Sequence, residues 1–238
     1  MRYTDRALRT LSAGNRTLLR AVDESNLLEE MCRAIVEVGG YRMAWVGRAE
    51  QDAEKNICPL AHYGVENGFL DLAHFSWSDS DENYGPTSRA VRTGKPVIVQ
   101  NINTLSGTAL QIPITESLKR GYLAVAAFPL IIDGKVVGNL TIFAAEPDAF
   151  DKQETELLGE MADDLAFGIA TLRIRVRHRE AEETIRRMAY FDALTGLPNR
   201  TSLQEKLDAA LDQARQQHQP LAVLLVKIGR FQEISDTL

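Results

Sequence analysis

Few residues in this chain have chemistry to offer. Trp77, Tyr84 and Arg89 stand close in sequence, and two aromatic faces with a converging guanidinium would suit a planar small-molecule ligand. Packing is the alternative: Trp77 and Tyr84 closing a lid, with Arg89 paired to an acid such as Asp79 or Asp81. His62 lies in a strand-like run and His74 in an acidic stretch, which gives axial haem ligation little support. Cys58 precedes Pro59 with only Lys55 nearby to favour a thiolate, and Cys32 falls on an apolar helical face as a core thiol. No close-spaced cysteine pair or Cys/His cluster indicates a disulfide framework or a zinc site. No Ser/His/Asp or Cys/His arrangement has a recognisable catalytic spacing. The expectation is no metal and no haem, with the cofactor unknown.

Composition narrows the partners. A chain of 238 residues has room for one domain and part of another. A net charge of -6 argues against nucleic-acid binding, which needs a basic face. Arg173, Arg175, Arg177 and Arg179 are the local exception, but they spread around a helix and Glu180, Glu182 and Glu183 follow, as in a solvated, salt-bridged stretch. The start carries Arg2, Asp5, Arg6 and Arg9, unlike a secretory signal, and the longest apolar run, Tyr122 to Ile132, is too short to span a bilayer. A cytoplasmic protein without a membrane segment is expected.

These residues must be positioned by the elements around them, and the longest runs from Asp151 to Phe191. Asp151 can cap this helix and Glu154, three residues on, completes a capping box. Leu158, Met161, Leu165, Ile169, Leu172 and Val176 follow at helical spacing, so the first half packs against something. Beyond Val176 a different seam begins at Ala181, Ile185 and Met188. A helix that changes partner midway is suited to passing a rotation or shift between domains. At the other end, Leu8, Leu11, Asn15, Leu18 and Val22 form a short coiled-coil seam with a polar core position, or a helix that packs on its own domain.

Between the two, Asp23 and Ser25 offer caps for a helix ending at Gly39-Gly40. Tyr41 to Ala49 and Ile57 to Tyr63 suggest a hairpin, Pro86 to Thr93 a helix stopped by Gly94, Val97 to Ile102 a strand, and Ile114 to Arg120 a helix. Asp133-Gly134 between two apolar runs supplies the positive backbone angles of a tight hairpin turn, while Pro129 predicts an irregularity in the first of its strands. The strands must pair mainly antiparallel, with helices over the sheet, in an α+β fold.

That order, the run Tyr84-Gly-Pro-Thr-Ser-Arg-Ala-Val-Arg-Thr-Gly-Lys-Pro-Val-Ile-Val-Gln-Asn-Ile102, the hairpin Phe128 to Phe143 and the closing Asp163-Asp-Leu-Ala-Phe-Gly168 together resemble a GAF domain. The resemblance is strongest to GAF domains that precede cyclic-di-GMP signalling domains in bacteria. It implies a sensory or dimerising module, with Trp77, Tyr84 and Arg89 near its ligand cavity. Asp192-Ala-Leu-Thr-Gly-Leu-Pro-Asn-Arg200, an amphipathic helix (Leu203, Leu207, Leu211) and the apolar run Leu221 to Val226 resemble the opening of a GGDEF domain, the diguanylate cyclase fold. Active members continue in a pattern of the type D-x-D-x-F-K-x-I-N-D; here the stretch reads Lys227-Ile-Gly-Arg-Phe-Gln-Glu-Ile-Ser-Asp236. Phe231, Ile234 and Asp236 keep the pattern. Lys227 replaces a magnesium-binding carboxylate and has no lone pair for the ion, Gln232 replaces a phosphate-contacting Lys, and Ser235 replaces an Asn that meets guanine.

The resemblance therefore implies four parts: an amino-terminal helix (1–22), a GAF domain (23–170), a signalling helix (171–191) and a truncated, degenerate GGDEF segment (192–238). The chain is expected to be a homodimer through its terminal helices, without cyclase activity, and its GAF domain to regulate a cyclic-di-GMP output. An EAL phosphodiesterase domain in a longer parent fits the same pattern. The competing expectation is the first part of an active diguanylate cyclase.

Overall fold

The computed structural model describes residues 2–72, 75–78, 85–105 and 111–226. Two compact units divide the chain, Met1–Arg175 and Val176–Leu238. The first is an α+β domain. Helices α1 (Arg2–Arg20) and α2 (Glu24–Glu37) lead into strands β1 (Met43–Ala49) and β2 (Ile57–Gly64); then come α3 (Phe69–Leu72), α4 (Pro86–Thr93), β3 (Val97–Val99), α5 (Gln111–Lys119), β4 (Ala124–Ile132) and β5 (Lys135–Ala144). Helix α6 (Lys152–Tyr190) follows, and α7 (Arg200–Gln217) belongs to the second unit.

The five strands form one sheet in the order β2-β1-β5-β4-β3, with every pairing antiparallel. Its centre is the β4–β5 hairpin, closed by Asp133 (φ 51°) and Gly134 (φ 74°), a pair of positive angles that matches the twist of the flanking strands. The irregularity expected at Pro129 falls one residue later, between Leu130 and Ile131. Edge strand β2 carries Pro59 opposite Gly47, beside a register shift at Val46 and Gly47.

Alternation divides the core into two layers. Ala44, Val46, Ala126, Phe128, Leu130, Leu140 and Ile142 meet Leu27, Leu28, Met31, Cys32 and Ile35 of α2 and Leu158, Met161, Leu165, Ile169 and Leu172 of α6. Each large aliphatic side chain buried there contributes about 1.5–3 kcal/mol. On the other face, Met43, Trp45, Val125 and Phe143 lie under Phe69, Leu70, Val91, Ile102 and Tyr122. β4 is apolar on both faces for that reason.

The helix ends follow local chemistry. Asp23 accepts the Asn26 amide at 2.9 Å to cap α2, Pro86 opens α4 and Gly94 closes it. Asp151 caps α6 by accepting the Glu154 amide at 2.7 Å. Glu154 does not complete the box: its side chain is fully buried and bonded to Arg6 and Tyr41, which outcompete the backbone amide of Asp151. Along α6, Leu172 is 8% exposed but Val176, Ile185 and Met188 are 54%, 66% and 72% exposed, so the inner seam ends four residues sooner than its spacing suggests. α1 packs on its own domain through Ala7, Thr10, Ala13 and Gly14, while Leu8, Asn15 and Val22 are exposed. The expected strand Leu221 to Val226 carries no strand structure and is exposed throughout, because a strand needs a ladder partner for its amides and none is found among the described residues.

Candidate functional site

The inner face of the sheet under α4 carries a buried polar patch in an apolar layer. β5 places Asn139 and Thr141 on this face, and the β1–β5 register sets Gly47 opposite Asn139 and Trp45 opposite Thr141. Asn139 Nδ2 donates to Thr141 Oγ1 at 3.0 Å, and that hydroxyl lies 3.0 Å from Thr87 Oγ1 in the first turn of α4. Gly47 is required by close approach: a Cβ there would lie 2.6 Å from Asn139 Oδ1 and 2.7 Å from Trp45 Cζ3. Trp45 packs its ring on Phe75 at a centroid distance of 4.7 Å.

Two side-chain atoms in this patch, Trp45 Nε1 and Asn139 Oδ1, are buried without a hydrogen-bond partner. An unsatisfied buried polar group costs about 1–3 kcal/mol, so these two atoms are the costly positions of an otherwise apolar layer. One is a donor and the other an acceptor, and the surrounding Ile57, Val91 and Phe75 are apolar.

Trp77 sits elsewhere in the same layer. Its Nε1 donates to the Glu50 carbonyl at 3.0 Å and the Lys55 ammonium lies 4.6 Å from its ring centroid, which ties it to the β1–β2 loop. Arg89 is exposed on α4, and Tyr84 lies outside the described residues, as do Asp79 and Asp81. No described contact brings Trp77 and Arg89 together. Trp45, Asn139, Thr141 and Thr87 escape a reading by sequence proximity, because they meet only once β1 and β5 are in register. The available signal is Asn139 and Thr141 alternating with apolar residues in a strand that is otherwise core. Cys58 is half-buried and His62 exposed on β2; His74 is outside the described residues.

A second constellation belongs to the second unit, at the corner between α6 and α7. Asp192 accepts the Thr195 amide at 2.9 Å and its hydroxyl at 2.7 Å, and these bonds hold its carboxyl below the ordinary aspartate range. The Asp192 amide donates to the Leu197 carbonyl at 2.8 Å. Asn199 bonds both helices: Nδ2 donates to the Ala189 carbonyl at 2.8 Å, and Oδ1 accepts the Ser202 amide at 3.1 Å as the cap of α7. The corner is thus wired through side chains at fixed spacing. Lys227, Gln232 and Ser235 lie outside the described residues.

Comparison with known proteins gives these sites a context. Residues 21–170 match the GAF domain family, and residues 189–238 match the diguanylate cyclase, GGDEF domain. An uncharacterized signaling protein of Caulobacter vibrioides is 39% identical over 87 residues, covering 34% of this chain and 11% of that protein. The diguanylate cyclase TpbB of Pseudomonas aeruginosa is 34% identical over 85 residues, covering 36% of this chain and 19% of its own length. The chain therefore spans less than a fifth of either relative. The GAF domain of a phosphoenolpyruvate-protein phosphotransferase from Coxiella burnetii superposes with a TM-score of 0.57 at 15% identity, covering 73% of this chain and 98% of that domain. No helix among the described residues is long and apolar enough to cross a membrane. Sequence match and sheet architecture agree: this chain belongs to the GAF domain family, and its GAF domain runs on into a GGDEF segment.

Proposed function

We propose that the chain is a sensory and dimerising module that sets the activity of a cyclic-di-GMP output domain. The observation that carries this reading is the change of environment along one unbroken helix: α6 is core in the GAF domain up to Leu172, then presents Val176, Ile185 and Met188 to solvent. An isolated helix gains little stability from propensity alone, so an exposed apolar seam is stabilised by packing against a second copy. α1, with Leu8 and Leu19 exposed, supplies the other part of a homodimer contact. The input is a small, uncharged polar ligand on the face of the sheet under α4, where Trp45 Nε1 and Asn139 Oδ1 are buried without hydrogen-bond partners.

The output segment is degenerate. Lys227 offers an ammonium where the metal needs oxygen, and phosphoryl transfer depends on placed metals and phosphate contacts. The chain on this reading makes no cyclic-di-GMP, acts in the cytoplasm, and regulates a partner activity such as an EAL phosphodiesterase in a longer parent. The second reading, the first part of an active diguanylate cyclase, is favoured by the name of the TpbB relative.

Native mass spectrometry of the purified chain tests the proposal. A dimer that becomes monomeric on Ile185→Asp and Met188→Asp substitution is the expected result; a monomer at all concentrations overturns the dimer reading. Extra mass lost on denaturation, and absent in Asn139→Leu, identifies the input as a ligand. Cyclic-di-GMP formed from GTP and magnesium by this chain would overturn the degenerate reading.

A further inference from the structure

The amino-terminal helix rests on its domain through a thin apolar contact and one buried charge cluster. Its fully buried positions, Ala7, Thr10, Ala13 and Gly14, have little or no apolar side chain to contribute, and its larger residues Leu11 and Leu18 are only partly buried against the core. Gly14 lies close to Met31 and Met161, and Leu18 closes on Gly168 and Leu27. Arg6 adds what these contacts lack. Its Nε and Nη2 donate to Glu154 Oε1 at 2.9 and 2.6 Å, and Nη2 also donates to the Ala149 carbonyl at 3.1 Å. The guanidinium lies 4.3 Å from the Tyr41 ring centroid, and Tyr41 donates to the same Oε1 at 2.5 Å. Glu146 stands 3.9 Å away at the rim.

Glu154 is fully buried in the first turn of α6, and its Oε2 has no partner. Burial pushes its carboxyl above the ordinary glutamate range, against the hydrogen bonds from Tyr41 and Arg6. An ion pair in this position is satisfied only while α1 is docked. Removing one member leaves an uncompensated charge in the core, which is relieved when the helix lifts and water enters.

We infer that Arg6, Glu154 and Tyr41 form a latch that makes the docking of α1 and the seating of the first turn of α6 a single event. Breaking it releases α1 as a unit and uncovers Met31, Met161 and Leu27. The latch ties an element at one end of the sequence to the base of the helix that leaves the domain.

Hydrogen exchange on the whole chain tests this, with the β4–β5 hairpin as an internal reference for folding. Arg6→Leu and Glu154→Leu are each expected to speed exchange in α1 and in residues 152–156 by about tenfold or more while the hairpin is unchanged, and the double variant to be no faster than either single one. Unaltered exchange in α1, equal acceleration in the hairpin, or a double variant that multiplies the two single effects would each overturn the latch. Tyr41→Phe, which keeps the ion pair, is expected to give a smaller acceleration in the same segments; none there, with none in Arg6→Leu, overturns it as well.

Discussion

Arg173 on α6 and Glu24 on α2 form a two-pronged ion pair, with Nε on Oε2 at 2.8 Å and Nη2 on Oε1 at 2.6 Å. It lies one residue past Leu172, the last large side chain of α6 buried in the GAF core. The parallel hydrogen bonds fix orientation as well as charge, but both side chains are partly exposed and water screens them. Arg173→Ala is expected to cost about 0.5–1 kcal/mol, a fall in melting temperature of roughly 1–4 °C. Exchange should quicken around residues 170–176 and not in the sheet. A larger, global loss would mean that Arg173 anchors more than this pair.

The buried patch predicts opposite outcomes for two changes at one position. Asn139→Leu removes the unpartnered oxygen and leaves the Thr87–Thr141 contact intact, so stability in urea should stay within about 1 kcal/mol of the parent or rise. Asn139→Asp keeps the shape but buries a carboxylate with no cation bonded to it, and should cost about 3 kcal/mol or more. Equal effects would show that this position is open to water.

Gly47→Ala drives a methyl into Asn139 Oδ1, the Trp45 ring and Ile57, all on packed strands. Overpacking of this kind costs about 1–3 kcal/mol. Urea denaturation read by tryptophan fluorescence measures it directly.

The two cysteines should differ sharply in reactivity. Burial pushes the Cys32 thiol up to about 12, and only the thiolate reacts. Iodoacetamide at about pH 8, below that value, should leave Cys32 unmodified in the folded chain and modify it in denaturant. Cys58, half-buried on an edge strand, is the site open to reagent. Peptide mapping distinguishes the two.

Asn199→Ala removes the α7 cap and the tie to Ala189 together. A lost cap costs about 0.5–2 kcal/mol, expressed as fraying of the corner and not as unfolding of the sheet. The Asp192 turn has its own pH dependence. Its carboxyl is depressed by Thr195, so the turn's contribution is present above the ordinary aspartate range and is lost as pH falls through the lowered value. Amide exchange at Thr195 followed towards acid should show this.

Elements set by local signals are legible in the sequence. Asp133-Gly134 predicts its hairpin because the turn geometry needs those two residues, and Pro86 and Gly94 bracket α4 for similar reasons. The alternation of periods along residues 151–176 identifies the buried half of α6. Where partners are distant in sequence, local pattern alone misplaces the contact. Glu154 has the spacing of a capping box, yet Arg6 and Tyr41 claim its carboxylate across 148 and 113 positions. The seam read on α1 holds only in part: Leu11 and Leu18 pack against the core beside the small residues Ala7, Ala13 and Gly14, which a hydrophobic pattern underweights, while Leu8 and Asn15 are exposed. The short helix α3 lies in a stretch without clear periodicity. The patch around Trp45 and Asn139 depends on strand register, which no single segment contains.

The edges of the sheet also have a consequence for assembly. Pro59 deprives β2 of an amide in mid-strand beside a break in its register, and the opposite edge, β3, is three residues long. Neither border offers a continuous row of free backbone groups on which another chain could template itself. The domain is thereby insulated against lateral growth into fibrils, and any contact it makes with another chain must run through side chains, where it is specific, finite and reversible.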